Sequence, residues 1–408
     1  MATATALLLV IDAMGIPTLE YLIDHFPGNL HFPNLSRLGL GLLMPPRHSC
    51  RFYPHGRRIC AGRRDQVSAS ADSVIGHREM MGVVDGRTYN LFPDGFPAGY
   101  IAELERRIGR RTMFNRMGGG VEVIKLIAAE HAATGCPGVY ASICDPLIQI
   151  AMDEAVISVP EQHQIADIAL ALALETGIPI TRAIARSYVC RDGDYTRTPN
   201  RHDAVLPLPK GARTLVHILR ERGVRTVSVG KPSDLVGVAF DQEIHLAEPN
   251  DLDPRLDLRF AHPKRKDNNP YTTQGVLNAI ADARSSASQT SGTFIFANWV
   301  DGDALYGHTR DVEGALRSLE EIDRVLPLIE GALAPGDILI ITADHGMEHR
   351  ADYGYHHREP VPRLVERIGF NPMLRTNQSR GLTEVGDLIA QMFGCEGEFR
   401  QNIVRIPA

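Results

Sequence analysis

An acidic and an imidazole side chain stand next to each other near the end of the sequence, in the pair Asp344-His345. The apolar, β-branched run from Ile338 to Ile341 precedes this pair, and Gly346 follows it. Such a run predicts a buried strand of a parallel sheet, and open α/β sheets bind ligands outside the carboxyl ends of their strands. The pair therefore predicts part of a divalent-metal site, whose other ligands should follow other strands.

The first apolar run of the chain, Leu7 to Ile11, leads directly into Asp12. A single aspartate after a strand is more often a helix cap than a metal ligand. For Asp12, however, the local pattern matches that of Asp344, and this match favours a role in the same metal site.

The remaining candidate ligands follow a third predicted strand, Thr293 to Ala297, and a later loop. They are carboxylates and imidazoles: Asp301 or Asp303, His308 and His356. Such ligands without thiols suit two divalent cations such as Mn²⁺, Zn²⁺ or Mg²⁺. Two ions ~3.5–4 Å apart can hold both the attacking and the leaving oxygen of a phosphoryl displacement. The pattern therefore predicts metal-dependent phosphoryl transfer.

A candidate nucleophile, Ser73, follows Asp72 at the predicted start of a helix. Backbone N–H groups and the helix dipole favour an anion at that position, whether an alkoxide or a phosphate. A metal-bound hydroxyl is also a competent nucleophile. Since capping serines are common at helix starts, the significance of Ser73 depends on the metal ligands.

Three polar segments could bind the phosphate of a substrate, and each has an ordinary structural alternative. The loop from Pro45 to Arg64 is rich in arginine and histidine, and is either a solvated loop or an electropositive rim. The glycine run from Asn115 to Gly120 opens a helix, and is either a backbone cradle for phosphate or a turn with a cap. Arg197, Arg201 and His202 form either a solvated hairpin edge or a phosphate-binding patch.

Composition excludes several other classes of protein. The chain has 408 residues, 44% hydrophobic and 23% charged, and a net charge of −6, which argues against bulk binding to nucleic acid. No apolar run approaches the ~20 residues needed to span a membrane, and the run ending at Ile11 is too short for a signal peptide. The six cysteines are scattered without a Cys-x-x-Cys motif, which predicts reduced thiols and a cytoplasmic protein. Nothing indicates a protein partner.

The order of these features resembles the alkaline phosphatase superfamily and, within it, the phosphopentomutase family. The resemblance covers nearly the whole chain and includes segments beyond the metal ligands. The matching stretches are Val10–Asp12, Gly76-His77 with Glu79, Phe92–Pro97, Tyr140–Ser142 with Asp145, Gln149–Ala151, Arg197–Asp203, Val229–Lys231 with Ser233-Asp234, Val300–Asp303, Tyr306–His308, Thr342–Gly346 and His356–Glu359.

The resemblance implies an α/β fold with two parts. An alkaline-phosphatase-like core, residues 1–88 and 209–408, would have a mostly parallel central sheet with helices on both faces. An inserted α/β cap domain, residues 89–208, would bind the substrate.

The resemblance also implies a site and an activity. One metal would be held by Asp303, His308 and His356, and the other by Asp12, Asp344 and His345 with the Ser73 oxygen. Asp145 would help to bind the sugar phosphate, together with the patch that contains Arg197 and Arg201. The implied enzyme interconverts ribose or deoxyribose 1-phosphate and 5-phosphate through a phosphorylated Ser73 and a bisphosphate intermediate, usually with manganese. The alternatives are a metal-dependent phosphohydrolase, a mutase of a different sugar phosphate, and a non-catalytic metal-binding relative.

Four features depart from the family pattern, and all are expected near the substrate. Ala71-Asp72-Ser73 replaces Lys-Asp-Thr, Arg78 replaces the tryptophan of Gly-His-Trp-Glu, and the segment from Phe114 to Gly120 has glycines in place of hydroxyl side chains. The loop after Asp12 is also shorter than in the family. Since the metal ligands are retained, these changes predict retained phosphoryl chemistry with an altered sugar specificity.

Overall fold

The computed structural model describes residues 4–49, 60–191, 193–245, 252–256, 268–285, 290–349, 354–370 and 381–408. The chain divides into two compact units, Met1–Arg87 with Pro209–Ala408 (unit 1) and Thr88–Leu208 (unit 2). The role of unit 2 as a substrate-binding cap remains a prediction. Part of the predicted basic loop, with Arg51, His55, Arg57 and Arg58, lies outside the described residues.

The strands and helices alternate along most of the chain. In chain order the strands are β1 (Thr5–Ile11), β2 (Cys60–Arg64), β3 (Val83–Asp85), β4 (Met113–Met117), β5 (Gly138–Ala141), β6 (Leu147–Asp153), β7 (Arg182–Arg191), β8 (Asp194–Arg197), β9 (His202–Val205), β10 (Arg225–Val229), β11 (Gln242–Ile244), β12 (Thr293–Trp299), β13 (Ile338–Thr342), β14 (Gly346–Glu348), β15 (Tyr355–His357), β16 (Val361–Arg367) and β17 (Val404–Ile406). The α-helices are α1 (Ile16–Asp24), α2 (Pro33–Arg37), α3 (Pro46–Ser49), α4 (Ser73–Met80), α5 (Ala98–Ile108), α6 (Gly120–Thr134), α7 (Val159–Thr176), α8 (Leu215–Glu221), α9 (Pro232–Val236), α10 (Asn269–Ser285), α11 (Val312–Ala332), α12 (Thr383–Met392) and α13 (Glu396–Gln401). A 3₁₀-helix (Leu40–Leu43) and a π-helix (Gly302–Gly307) complete the set. Among the described helices, none combines the length and apolar character that a membrane-spanning segment requires.

Unit 1 is built on a seven-stranded sheet in the order β11-β10-β12-β1-β13-β16-β2. The five strands from β11 to β13 run parallel, while β16 pairs antiparallel with both β13 and β2. All residues of β1 and β12 are buried, which explains why their sequences are continuous apolar runs without alternation. The predicted α/β class with a mostly parallel central sheet is therefore confirmed.

The three central strands end level with one another. Val10 of β1 pairs with Asn298 of β12 on one side and with Thr342 of β13 on the other. The polar residues that follow these strands therefore begin at the same edge of the sheet, as the sequence predicted. Asp12 and Asp344 are each two residues beyond this level.

The sequence from Thr309 to Leu333 predicts a helix with a kink or break at Pro327, but α11 is unbroken through the proline to Ala332. A proline inside a helix has no N–H group to donate to the carbonyl four residues earlier, which here belongs to Asp323. The side-chain amide of Asn34 donates to that carbonyl oxygen at 2.9 Å. The backbone N–H of Leu35 in turn donates to the Asp323 carboxylate at 2.7 Å. The Asn34 contact satisfies the carbonyl that the proline leaves unpaired, and the Leu35 contact adds a second hydrogen bond between α2 and α11.

Unit 2 contains a mixed sheet in the order β4-β5-β6-β7-β8, with β9 also paired to β7. Successive residues of a strand point to opposite faces, and β5 shows this alternation. Val139 and Ala141 belong to a core cluster that includes residues of α5 and α7, whereas Tyr140 packs with residues of α6. Helices therefore cover both faces of this second α/β sheet.

A buried carboxylate, Glu79 in α4, holds the segment that leads to Ser73. Its two oxygens accept hydrogen bonds from the backbone N–H groups of Val67 at 2.9 Å, Ser68 at 2.7 Å and Leu382 at 3.0 Å. Since Glu79 is fully buried, no water can replace it as the acceptor.

We therefore expect Glu79→Ala to lower the free energy of unfolding of unit 1 by about 3 kcal/mol or more, since each orphaned buried donor costs ~1–3 kcal/mol. Glu79→Gln keeps one acceptor oxygen and should lose less. Trp299, the single tryptophan, is buried in β12, so its fluorescence during urea denaturation follows unit 1 selectively. An unchanged urea midpoint for Glu79→Ala would contradict this role.

Candidate functional site

The structure brings the six predicted metal ligands into two groups. Group 1 consists of Asp12, Asp344 and His345, and group 2 consists of Asp303, His308 and His356. Within each group the ligand atoms all lie within 4.8 Å of one another. The ring centroids of His345 and His356 are 4.1 Å apart, so the two groups are adjacent.

Group 1 lies against the start of α4. The His345 Nε2 atom is 3.5 Å from oxygens of both Asp12 and Asp344. The Ser73 Oγ atom is 3.2 Å from His345 Nε2, and its hydroxyl donates to Asp12 Oδ1 at 3.4 Å. The other ring nitrogen of His345 lies 3.0 Å from the Gly346 carbonyl oxygen, which directs Nε2 toward the carboxylates.

Group 2 depends on the π-helix Gly302–Gly307. Its wider turn places Asp303 and His308, five residues apart, on the same side, and the His308 N–H donates to the Asp303 carbonyl at 3.4 Å. Asp303 Oδ1 lies 3.3 Å from His308 Nε2 and 3.0 Å from His356 Nε2. The sequence left open whether Asp301 or Asp303 is the ligand. Asp301 instead accepts a hydrogen bond from the Asn269 N–H at 3.1 Å and belongs to neither group.

The buried carboxylates and imidazoles of the two groups shift one another's pKa values. Burial and the charges of Asp344 and Asp303 raise the pKa of Asp12 well above its usual value. Burial alone would lower the pKa of His345, but the three carboxylates outweigh it and raise that pKa to about 9. For Asp344 and Asp303, burial is outweighed by neighbouring histidines, so both pKa values are lowered. One oxygen of Asp344, Oδ2, is buried without a hydrogen bond of good geometry, although His77 Nδ1 lies 3.4 Å from it. These donors fit divalent cations.

The motif Gly76-His77 supports group 1, a role that sequence reasoning did not assign. A Cβ atom on Gly76 would lie 2.4 Å from the Asp344 carbonyl oxygen, so only glycine allows α4 this close to the strand end. His77 Nδ1 lies 2.8 Å from the Ser73 carbonyl oxygen and 3.4 Å from Asp344 Oδ2. The imidazole stacks on Phe296 of β12. The pair thus aligns Ser73 with group 1.

Ser73 is the first residue of α4, as predicted from the sequence. Asp72 precedes it as the N-cap, and its carboxylate accepts a hydrogen bond from the Val74 N–H at 2.8 Å. The aspartate thereby provides an acceptor for one of the first-turn N–H groups, which have no partner within the helix. It also orients the turn that carries the Ser73 hydroxyl. The positive charge of Lys231, which the sequence analysis placed in a matching stretch without a role, acts on Asp12 and opposes the rise of its pKa.

In unit 2 the structure gathers arginines around Tyr140, a set that we call the arginine cluster. It contains the predicted residues Arg197, Arg201 and Asp145, and also the residues Arg182, Arg186, Gln149 and Asp203, which the sequence did not assign to the site. Arg182 pairs with Asp145 at 3.1 Å, and Arg201 pairs with Asp203. Burial, then the charge of Arg201, lowers the pKa of Arg186 to about 9. The only signal in the sequence was the four-residue spacing of Arg182 and Arg186, which places both on one face of a strand.

Comparisons with known proteins find relatives that match most of the chain. A sequence model described as the Metalloenzyme superfamily matches residues 266–397, a range that includes all of group 2 and part of group 1. A phosphopentomutase from Kosmotoga olearia is 34% identical over 376 residues, which cover 90% of this chain and 87% of the relative. A phosphopentomutase from Desulfitobacterium hafniense is 34% identical over 409 residues, 96% of each chain. Among solved structures, phosphoglycerate mutase of Leishmania mexicana is 14% identical with a TM-score of 0.46, covering 97% of this chain and 96% of that one.

We expect the affinity of the metal-free protein for Mn²⁺ to depend on pH through His345. Its imidazole is protonated below a pKa of about 9, and the proton must leave before Nε2 can bind an ion. Affinity should therefore rise by about tenfold per pH unit as the pH increases toward 9, and then level off.

Calorimetric titration in buffers of different ionisation enthalpy measures the released protons directly. His345→Gln removes the titrating ring and should release fewer protons per ion bound. Affinity that is constant from about pH 6 to pH 9 would contradict the assignment of His345 as a ligand.

Proposed function

The chain belongs to the phosphopentomutase family, and we propose that it interconverts ribose or deoxyribose 1-phosphate and 5-phosphate by way of a phosphorylated Ser73. The observation that carries this proposal is the position of the Ser73 hydroxyl. Ser73 is the first residue of α4, and its Oγ atom lies within 3.4 Å of Asp12 Oδ1 and of His345 Nε2. A hydroxyl at a helix start beside a group of metal ligands is placed to accept and donate a phosphoryl group.

Group 2 would hold one divalent ion, and group 1 with the Ser73 oxygen would hold the other. When bound, the two ions would neutralise phosphoryl oxygens and lower the pKa of the Ser73 hydroxyl. We propose Mn²⁺ as the natural ion, because oxygen and imidazole donors without sulfur suit it. We also propose a cytoplasmic location, in accord with the free thiols of Cys60, Cys136 and Cys190.

The proposed reaction moves one phosphoryl group in each half. In the first half, the bond between phosphorus and Ser73 Oγ breaks as the phosphoryl group passes to the free hydroxyl of the bound sugar phosphate, and that hydroxyl loses its proton. In the second half, the other phosphoryl group of the bisphosphate returns to Ser73 Oγ, and the sugar oxygen that it leaves takes up a proton. The α4 dipole favours the anionic phosphoserine between the two halves.

The arginine cluster of unit 2 is the proposed binding site for the phosphate that does not react. Guanidinium groups of like charge are unfavourable neighbours, and the lowered pKa of Arg186 reflects this repulsion together with burial. A phosphate dianion would compensate this charge and could accept several charge-assisted hydrogen bonds. Asp145, which Arg182 and the Ser142 hydroxyl hold in place, is proposed to accept a sugar hydroxyl.

We expect Ser73→Ala to reduce turnover by about 10⁴-fold or more, because no other hydroxyl replaces the nucleophile. Metal content by elemental analysis should remain near that of the wild type. Ser73→Thr keeps the hydroxyl and should retain measurable activity together with a phosphoryl mass increment on the intact protein. Wild-type turnover in Ser73→Ala would rule out the phosphoserine.

We expect Arg201→Ala to raise the KM for ribose 5-phosphate by about 10- to 100-fold, the usual effect of losing a charge-assisted hydrogen bond to phosphate. Metal content should not change, because Arg201 lies in unit 2 and groups 1 and 2 lie in unit 1. Arg191→Ala, an exposed arginine at the end of β7, serves as the matched control. Equal KM values for the two variants would remove Arg201 from the substrate site.

A further inference from the structure

The first residue of α6, Gly120, lies where any larger residue would collide with the arginine cluster. A Cβ atom at this position would be 1.9 Å from Nη2 of Arg197 and 2.9 Å from the Tyr140 hydroxyl oxygen. Both distances are far below ordinary contact. The absence of a side chain at residue 120 is therefore what allows the Arg197 guanidinium to lie against the start of α6.

We propose that Gly120 determines the specificity of the arginine cluster, by admitting the Arg197 guanidinium beside Tyr140 so that the cluster selects a phosphate monoester dianion. This inference rests on the proposed function, because it concerns the same sugar phosphate. In this proposal Gly120 acts on the ligand through Arg197, and so is a specificity-determining residue.

Tyr140, the second residue that a side chain at residue 120 would meet, is held firmly in place. Tyr140 is fully buried in β5, and its hydroxyl donates to Gln149 Oε1 at 3.2 Å. The same oxygen accepts a hydrogen bond from Arg186 Nε at 2.6 Å. Arg197, in contrast, is an exposed residue at the end of β8, and the atom nearest to Gly120 is the tip of its side chain. A side chain at residue 120 would therefore displace the Arg197 guanidinium first.

The electrostatics show why this displacement matters. The charges of Arg186, Arg197 and Arg201 all act on the Tyr140 hydroxyl, although burial dominates and raises the pKa of that hydroxyl. Arg197 supplies the third of these positive charges. A dianion gains more from that third charge than a monoanion or a neutral sugar does.

The test is a double-mutant cycle on the full-length chain, with ribose 5-phosphate as the probe and D-ribose as the phosphate-free comparison. The variants are Gly120→Ala, Arg197→Ala and the double variant, with Gly99→Ala as the matched control. Gly99 also lies at the start of a helix of unit 2, but a Cβ atom there would meet nothing within 4 Å. Calorimetry gives the dissociation constants, and thermal unfolding checks stability.

We expect Gly120→Ala to weaken ribose 5-phosphate binding by about 10- to 100-fold, as the loss of an arginine contact to phosphate would. Gly99→Ala should bind like the wild type. In the Arg197→Ala background, Gly120→Ala should have no further effect, because the two changes remove the same contact. Binding of D-ribose should be equally weak in all variants.

Three results would overturn the inference: no preference of the wild type for ribose 5-phosphate over D-ribose, binding by Gly120→Ala within about twofold of the wild type, or additive effects in the double variant. The failure of the proposed function would look different. A wild type that binds ribose 5-phosphate but forms no ribose 1-phosphate would remove the mutase reaction, while the cycle would still decide the role of Gly120.

Discussion

The close approach of three buried carboxylates, those of Asp12, Asp303 and Asp344, is the constraint around which the candidate site of unit 1 is arranged. The parallel order of β12, β1 and β13 places the segments after these strands at one edge, so the fold itself brings the charges together. The charges of Asp344 and Asp303 raise the pKa of Asp12, and the charges of His345 and Lys231 oppose that rise. Divalent ions would add further positive charge here, and their binding would then be coupled to the stability of this edge.

The nucleophile is held to the same edge by close packing. Gly76 lets α4 approach the Asp344 carbonyl, and His77 links the Ser73 carbonyl to the Asp344 carboxylate. Behind them, Glu79 fixes the chain that enters the helix. Residues on consecutive turns of α4 therefore hold the Ser73 hydroxyl next to group 1. In unit 2, the absence of a side chain at Gly120 similarly makes room for a charge.

The sequence predicted the features that a local pattern of residues determines. It missed features that depend on contacts between segments distant in sequence. Buried strands followed by aspartates were recognisable, because parallel strands end at one edge of a sheet. The π-helix that aligns Asp303 with His308 has no such local pattern, and the break expected at Pro327 is absent because Asn34, distant in sequence, satisfies the freed carbonyl. Arg186 was missed because the residues that it meets in the cluster, among them Gln149 and Arg201, come from other segments of the chain.

The most direct test of the proposed mutase is to incubate the purified protein with manganese and α-ribose 1-phosphate, and to follow ribose 5-phosphate and free phosphate in the same sample. We predict that ribose 5-phosphate accumulates without an equivalent release of phosphate, because the phosphoryl group passes between Ser73 and the sugar. Free phosphate as the main product would contradict a mutase, since it would mean that water, and not the sugar hydroxyl, receives the phosphoryl group.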